Sequence, residues 1–165
     1  MPPHDHQKHA RAKLKVGVIT ASDSRTPETD ESGKLIRTLL QQAGHLVAYY
    51  EILREDEEKL SAALVNNLEN LDAIIVNGGT GITARDISTE VVKSVIDKEL
   101  EGFGELFRML SFQEIGPAAM MSRAVGGVRH GRFVAAIPGS PNACRLAMEK
   151  LLIPELGHIA YLLSQ

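Results

Sequence analysis

The sequence predicts an α/β protein, a three-layer α/β/α sandwich built on a mainly parallel, mixed sheet. Candidate strands alternate with candidate helices along most of the chain, which is typical of parallel sheets covered by helices on both faces. The segment 73–77 is short and apolar on both faces, as expected for a strand buried between two helical layers. Residues 124–137 have the pattern of a hairpin with His130 and Gly131 at its tip, which adds an antiparallel strand.

The first half of the chain predicts three strands and two helices. The strands are expected at 16–21, 46–53 and 73–77, where apolar and β-branched residues cluster. The first helix begins at about Asp30, has apolar residues at helical spacing and stops near Gly44. The second helix follows Asp56, a typical N-cap residue, and carries leucines at helical spacing.

The second half predicts four further helices around the hairpin. Apolar residues recur at helical spacing over 91–96, 103–110 and 156–163, and another helix is expected at about 142–152. Some of these apolar residues are candidates for a subunit contact, although core packing explains them equally well. They are Leu106, Phe107, Met109, Leu110, Met120 and Met121.

Length and composition bound the class of protein. The chain has 165 residues, which fits one domain, placed at 13–165 behind a flexible N-terminal tail at 1–12. The net charge of −3 argues against a nucleic-acid partner, because such proteins are typically basic. No apolar run approaches the roughly 18 residues that cross a membrane, and no signal-peptide core is present. The single cysteine, Cys144, excludes an intrachain disulfide, so a cytoplasmic protein with Cys144 in its core is expected.

A glycine-rich turn after the third strand is the first candidate site. Gly78, Gly79, Thr80 and Gly81 follow the apolar run, and Thr83 and Asp86 follow them. Glycines let backbone N–H groups approach a phosphate, and Asp86 is placed to hold a cation against it. The turn lacks the lysine of a P-loop and is not a dinucleotide fingerprint, so tight packing explains the glycines equally well.

Further candidates lie at the same predicted edge of the sheet, where parallel strands end and ligands bind. Gly139 and Ser140 precede a helix, so they suit either an anion or a helix cap. Asp56 and Asp86 together suggest bound Mg²⁺, with an N-cap as the alternative for Asp56. Other polar residues there either cap or contact a ligand: Ser22, Asp23, Asp30, Ser32, Gly33, Ser122 and Arg123, the last more typically solvated.

In these motifs the chain resembles the MoaB/Mog family of molybdenum cofactor biosynthesis. The resemblance runs from about residue 15 to 163 and rests on VITASD (18–23), DESG (30–33), GGTG with TARD (78–86), EGFGE (101–105) and PGSP (138–141). It implies the molybdenum cofactor biosynthesis fold, assembled as homotrimers or homohexamers. Asn77 replaces the Thr or Ser of many relatives, and the chain lacks the C-terminal extension of Mog-type members, so it is closer to the MoaB branch.

The resemblance also implies a reaction, in which the phosphate of molybdopterin is adenylylated by ATP with Mg²⁺ and pyrophosphate is released. The critical acidic residues of the family fall on Asp56 and Asp86, and its phosphate-contacting turns on 78–81 and on Gly139 and Ser140. Two alternatives stay open: a MoaB-type protein that binds molybdopterin without turnover, and a nucleotide-binding domain with an unrelated substrate.

Overall fold

The structure is a computed structural model and describes residues 9–165. One sheet has six strands in the order β2-β1-β3-β6-β5-β4. Neighbours from β2 to β6 pair parallel, whereas β5 pairs antiparallel with both β6 and β4, so the predicted mixed, mainly parallel sheet is confirmed. The strands are β1 (Lys15–Ala21), β2 (Leu46–Leu53), β3 (Ala73–Asn77), β4 (Lys98–Glu99), β5 (Val125–Arg129) and β6 (Arg132–Ile137).

Helices cover both faces of this sheet and complete the three predicted layers. The helices are α1 (Glu31–Gln42), α2 (Glu57–Leu68), α3 (Ser88–Val95), α4 (Glu101–Ile115), α5 (Pro141–Ala147) and α6 (Ile153–Leu163). Buried residues of α2 and α3 pack on one face, and those of α1, α4, α5 and α6 pack on the other.

The central strand β3 shows why the layers form. Ala73 and Ile75 contribute to one core, while Ile74 and Val76 contribute to the other, because successive side chains of a strand point to opposite faces. Each fully buried aliphatic side chain of this kind contributes about 1.5–3 kcal/mol relative to exposure. An apolar run on both faces therefore places β3 in the middle of the protein.

Several boundaries differ from the sequence predictions. The flexible tail predicted at 1–12 stays a prediction; within its described part, Arg11 donates its N–H to the carbonyl of Gly157 and pairs with Asp72. Residues 1–8 lie outside the described part of the chain. The helix expected at 142–152 is α5 followed by a π-helical turn, Met148–Leu152. The helix expected over 91–96 ends one residue earlier, since Ile96 lies just beyond α3.

Two elements had no counterpart in the sequence predictions. One is the two-residue strand β4, and the other is a 3₁₀ helix at Gly116–Met121. Among residues 9–165 no helix has both the length and the apolar character needed to cross a membrane.

Candidate functional site

The loops that follow β1, β3 and β6 meet at one edge of the sheet. Gly78 donates its N–H to the carbonyl of Ile137 at 2.9 Å, and Ser32 donates its hydroxyl to the carbonyl of Gly139 at 2.6 Å. A Cβ built on Gly139 would lie 3.1 Å from Gly78 Cα. The convergence of the candidate loops expected from a parallel sheet is therefore present.

The glycine turn 78–81 packs tightly against the protein. Gly78 and Gly79 have φ of +95° and +72°, a region that side chains rarely adopt. A Cβ on Gly79 would lie 3.1 Å from Ser88 Cβ, and one on Gly81 would lie 2.7 Å from an Asp86 carboxylate oxygen. The packing explanation of these glycines thus holds.

Two buried residues of the same turn, Gly79 and Thr80, have hydrogen-bond donors that the described part of the chain leaves unused. Within residues 9–165 the structure shows no acceptor for the backbone N–H of Gly79 or of Thr80. Unpaired N–H groups between a strand end and a helix start are the arrangement that binds phosphate in many folds. Packing and anion binding are therefore compatible at this turn.

Asp86 is held inside its own loop as an ionised carboxylate. Its Oδ2 accepts hydrogen bonds from Thr83, at 2.9 Å from the backbone N–H and at 2.7 Å from the hydroxyl. Burial raises the pKa of Asp86, but these bonds, one from the Gly81 backbone and the charge of Arg123 outweigh it and lower the pKa below the usual value. A carboxylate with a lowered pKa therefore belongs to the same loop as the unpaired N–H groups.

Asp56 has the role that its alternative interpretation predicts. It is the N-cap of α2, where its side chain accepts the N–H of Lys59 at 3.0 Å. The preceding residue, Glu55, is the one that interacts with Asp86, because burial and then the negative charge of Asp86 raise the pKa of Glu55. Sequence reasoning missed Glu55, although its position beside Asp56 at the end of β2 was a usable signal.

Asp23 links the first loop to this acidic group. Its carboxylate forms an ion pair with Arg85 and accepts the N–H of Glu55 at 3.3 Å. Ser22 shapes the same loop, since its hydroxyl accepts the N–H groups of Ser24 and Arg25 at 3.2 and 3.1 Å. Loops after β1, β2 and β3 therefore bring three carboxylates, on Asp23, Glu55 and Asp86, to one edge of the sheet.

Asp30 is buried and used internally. Its carboxylate accepts the hydroxyls of Thr20 and Tyr50 and, as the N-cap of α1, the N–H of Gly33 at 3.0 Å. Burial, and then the hydrogen bond to Asp30, raise the pKa of Tyr50 to about 12. Asn77 joins this network, because its side-chain amide donates to Thr20 Oγ1 at 2.9 Å. Asp30, Gly33 and Asn77 therefore belong to a buried hydrogen-bond network under the loops of the candidate site.

Three other candidates behave as follows. Ser140 caps α5, accepting the N–H of Ala143 on its hydroxyl at 3.3 Å. Cys144 is fully buried, as predicted, and burial raises the pKa of its thiol to about 12. The prediction that the side chain of Arg123 is solvated is wrong, since its guanidinium contacts the loop after β3.

A metal ion at this edge would also need oxygens from a ligand. Among residues 9–165 no group of three or more His, Cys, Asp or Glu side chains is arranged to hold a metal ion. Carboxylate oxygens are nevertheless the ligands that Mg²⁺ prefers, and Mg²⁺ is commonly held by one or two carboxylates plus substrate phosphates. The ionised Asp86 with the nearby Glu55 fits that mode of binding.

Two grooves are lined in part by residues of these loops. A groove of about 390 Å³ is bordered by Glu57, Ile82, Thr83, Asp86 and Arg123, among others. A second groove of about 650 Å³ follows the loop after β1 and the end of β2, with Ser22, Asp23, Arg25, Tyr50 and Arg54 in its lining. Both volumes are in the range that accommodates a small-molecule ligand.

Comparisons with known proteins point to one family. A family model described as a probable molybdopterin binding domain matches residues 17–158. Molybdenum cofactor biosynthesis protein B of Bacillus cereus is 48% identical over 160 residues, which cover 95% of both chains.

Solved structures agree with that match. A crystal structure of molybdenum cofactor biosynthesis protein B has a TM-score of 0.89 and 48% identity, covering 94% of this chain and 98% of the other. The tungsten cofactor synthesizing protein MoaB from Pyrococcus furiosus has a TM-score of 0.85 and 37% identity, covering 94% and 100%. The Mog protein from Mycobacterium ulcerans has a TM-score of 0.82 and 27% identity, covering 94% and 97%.

Proposed function

Because this chain belongs to the MoaB/Mog family of molybdenum cofactor biosynthesis proteins, we propose that it binds molybdopterin and adenylylates its phosphate with Mg-ATP. The observation that carries this proposal is that one loop contains both an ionised carboxylate and backbone N–H groups without a partner among the described residues. Gly79 and Thr80 supply the donors, and Asp86 supplies the charge, all at the edge where the strand ends meet. This combination suits a polyphosphate bound together with a divalent cation.

The proposed reaction is a displacement at phosphorus. An oxygen of the molybdopterin phosphate forms a bond to the α-phosphorus of ATP, and the bond from that phosphorus to the bridging oxygen breaks. Adenylylated molybdopterin and pyrophosphate result. The attacking phosphate is already anionic, so the protein needs no strong base, and catalysis depends on positioning and on charge neutralisation.

Each part of the site then has a distinct task. The N–H groups of Gly79 and Thr80 bind phosphate oxygens, and the hydroxyl of Ser140 lies on the adjoining turn. Asp86 is the proposed ligand for Mg²⁺, with Glu55 or Asp56 orienting its waters. Bound Mg²⁺ would neutralise charge on the phosphates of ATP while the adenylyl group is transferred.

An assay of purified protein with molybdopterin, ATP and Mg²⁺ tests this proposal by the release of pyrophosphate and of adenylylated product. We expect Asp86→Asn to lose at least about 100-fold in kcat, because an amide is a poor substitute for the carboxylate that would hold the charge-neutralising Mg²⁺. Asp97→Asn is the matched control, since Asp97 accepts a backbone N–H at the distant hairpin tip. Full activity of Asp86→Asn would exclude Asp86 from the reaction.

A second candidate function is molybdopterin binding without turnover. It is favoured by the capping role of Asp56, whose carboxylate is engaged with the N–H of Lys59 rather than directed to a metal. This candidate predicts that a folded sample binds both molybdopterin and ATP yet releases no pyrophosphate. Such a result would reject the enzymatic proposal and retain the binding one.

We further propose that a second copy of the chain covers an exposed apolar stripe, giving a homotrimer or homohexamer. Leu106, Met109, Phe112 and Ile115 follow one another at a spacing of three on α4 and are 47–60% exposed. Such a stripe on a monomer is typical of an interface. Light scattering should show a smaller species for Phe112→Glu and an unchanged one for Gln113→Glu; an unchanged mass for both would refute this interface.

A further inference from the structure

Arg123 lies in the short segment between the 3₁₀ helix and β5, and its backbone joins that segment to two others. Its N–H donates to the carbonyl of Thr80 at 2.9 Å, and its carbonyl accepts the hydroxyl of Thr89 at 2.8 Å. Thr80 belongs to the glycine turn and Thr89 to the first turn of α3. The backbone of Arg123 therefore connects the two ends of the loop that carries the candidate phosphate site.

The guanidinium of Arg123 contacts the same loop at two more points. Its Nε donates to the carbonyl of Gly81 at 2.7 Å, and its Nη2 donates to the carbonyl of Asp86 at 3.3 Å. The planar fork of an arginine suits this geometry, because its N–H groups have fixed directions. One side chain thus spans the stretch from Gly81 to Asp86, which contains neither helix nor strand.

Glu90 fixes the guanidinium from the other side. It forms an ion pair with Arg123 through both carboxylate oxygens, with Oε2 at 3.2 Å from Nη2. All three nitrogens of the Arg123 side chain are then engaged with groups of the protein. This disfavours direct phosphate binding by Arg123 and favours an action through the loop.

We propose that Arg123, held by Glu90, is a positioning residue that fixes the spacing between the donor N–H groups of the glycine turn and the carboxylate of Asp86. The part of this proposal that concerns nucleotide rests on the proposed function. We call the contacts of Arg123 with Gly81, Asp86 and Glu90 the clamp. They form within the protein itself and need no nucleotide. Loss of these contacts lets the loop move, and a misplacement of about 1 Å can cost a reaction about 100-fold in rate.

Amide hydrogen exchange of the unliganded protein tests the clamp. Thr83, Asp86 and Ser88 donate N–H bonds within or at the end of the loop, so their exchange rates report its opening. We expect Arg123→Gln to speed their exchange by about tenfold or more, and to leave amides of the central strand unchanged. Unchanged exchange at all three amides would overturn the proposal.

A matched control comes from another arginine–glutamate pair. Arg145 and Glu149 form an exposed i,i+4 pair at 2.9 Å that touches no loop of the site. Arg145→Gln should leave the exchange of the three loop amides unchanged. Should Arg123→Gln fail to fold, Glu90→Gln tests the same clamp, since it removes the ion pair and keeps the guanidinium; it should speed the same amides.

Steady-state kinetics with ATP separate positioning from general stability. We expect KM for ATP to rise about tenfold in Arg123→Gln, with a thermal midpoint that stays well above the assay temperature. Arg123→Lys should not restore KM, because an ammonium cannot bridge two carbonyls and Glu90 at once. A KM restored by lysine would show that charge alone matters and would overturn the geometric claim.

The two readouts keep the proposals distinguishable. Faster exchange in Arg123→Gln together with a wild type that neither binds nor consumes ATP would retain the clamp and reject the proposed function. Normal exchange in Arg123→Gln together with an active wild type would reject the clamp and retain the proposed function.

Discussion

Replacing Gly78 with alanine should be much more costly than replacing Gly116 or Gly102. Gly78 has φ +95°, and an added Cβ would lie within contact distance of the carbonyl oxygen of Ala21 and 3.4 Å from its carbon. Ala21 is the last residue of β1 and is paired with β2, so its carbonyl has little room to retreat. The substitution therefore combines backbone strain with a collision against a fixed strand.

Two other glycines separate these contributions. Gly116 has φ +70° but nothing within 4 Å of an added Cβ, so its replacement reports strain alone. Gly102 lies in α4 with an ordinary φ and nothing within 4 Å, so its replacement reports neither. Backbone strain at positive φ costs about 1–3 kcal/mol, and overpacking costs about 1–3 kcal/mol more. Alanine in a helix gains roughly 0.5–1 kcal/mol over glycine.

The expected changes in the free energy of unfolding follow by addition. Gly78→Ala should lose about 4 kcal/mol, Gly116→Ala about 2 kcal/mol, and Gly102→Ala should gain slightly. Urea unfolding at one protein concentration measures all three, which removes any contribution from assembly. If Gly78→Ala lies within about 0.5 kcal/mol of Gly116→Ala, the close approach to Ala21 is not what requires glycine there.

Three further predictions test the surroundings of the site. Asp56→Ala should lose about 1 kcal/mol of stability through the missing cap of α2; an unchanged urea midpoint would contradict the bond to Lys59. Burial lowers the pKa of His45, so the unfolded state binds the proton more readily, and stability should fall as pH drops below about 6.5. His45→Gln should flatten that part of the profile, and an unaltered slope would assign it to other groups. Finally, the buried thiol of Cys144, whose pKa burial raises to about 12, should resist a disulfide reagent in the native state and react in urea; rapid native reaction would mean that the core opens readily.

The strands of the parallel core were the most predictable part of this protein. The segments 46–53 and 73–77 begin and end in the structure where the sequence predicts them. β3 is buried on both faces, so the apolar run alone marks its ends. By contrast, Lys98 and Glu99 of β4 have no apolar pattern that could predict a strand. This edge strand forms because β5 offers it hydrogen-bond partners.

Within the candidate site, sequence position and side-chain role separated. The glycine turn and Asp86 lie at the predicted edge of the sheet, because a parallel strand delivers its following loop there. The sequence did not predict in which direction the neighbouring carboxylate side chains point. Asp56 turns back to cap α2, whereas Glu55 interacts electrostatically with Asp86.

The sequence by itself determined the layered α/β architecture, the bounds of two central strands and the edge at which its polar loops gather. Those features follow from local periodicity and from the geometry of parallel strands, which act over a few residues at a time. Only the tertiary structure decided that Arg123, distant from the glycine turn along the chain, closes on the carbonyls of Gly81 and Asp86. Contacts of this kind depend on how separate segments pack, and no local pattern of residues specifies them.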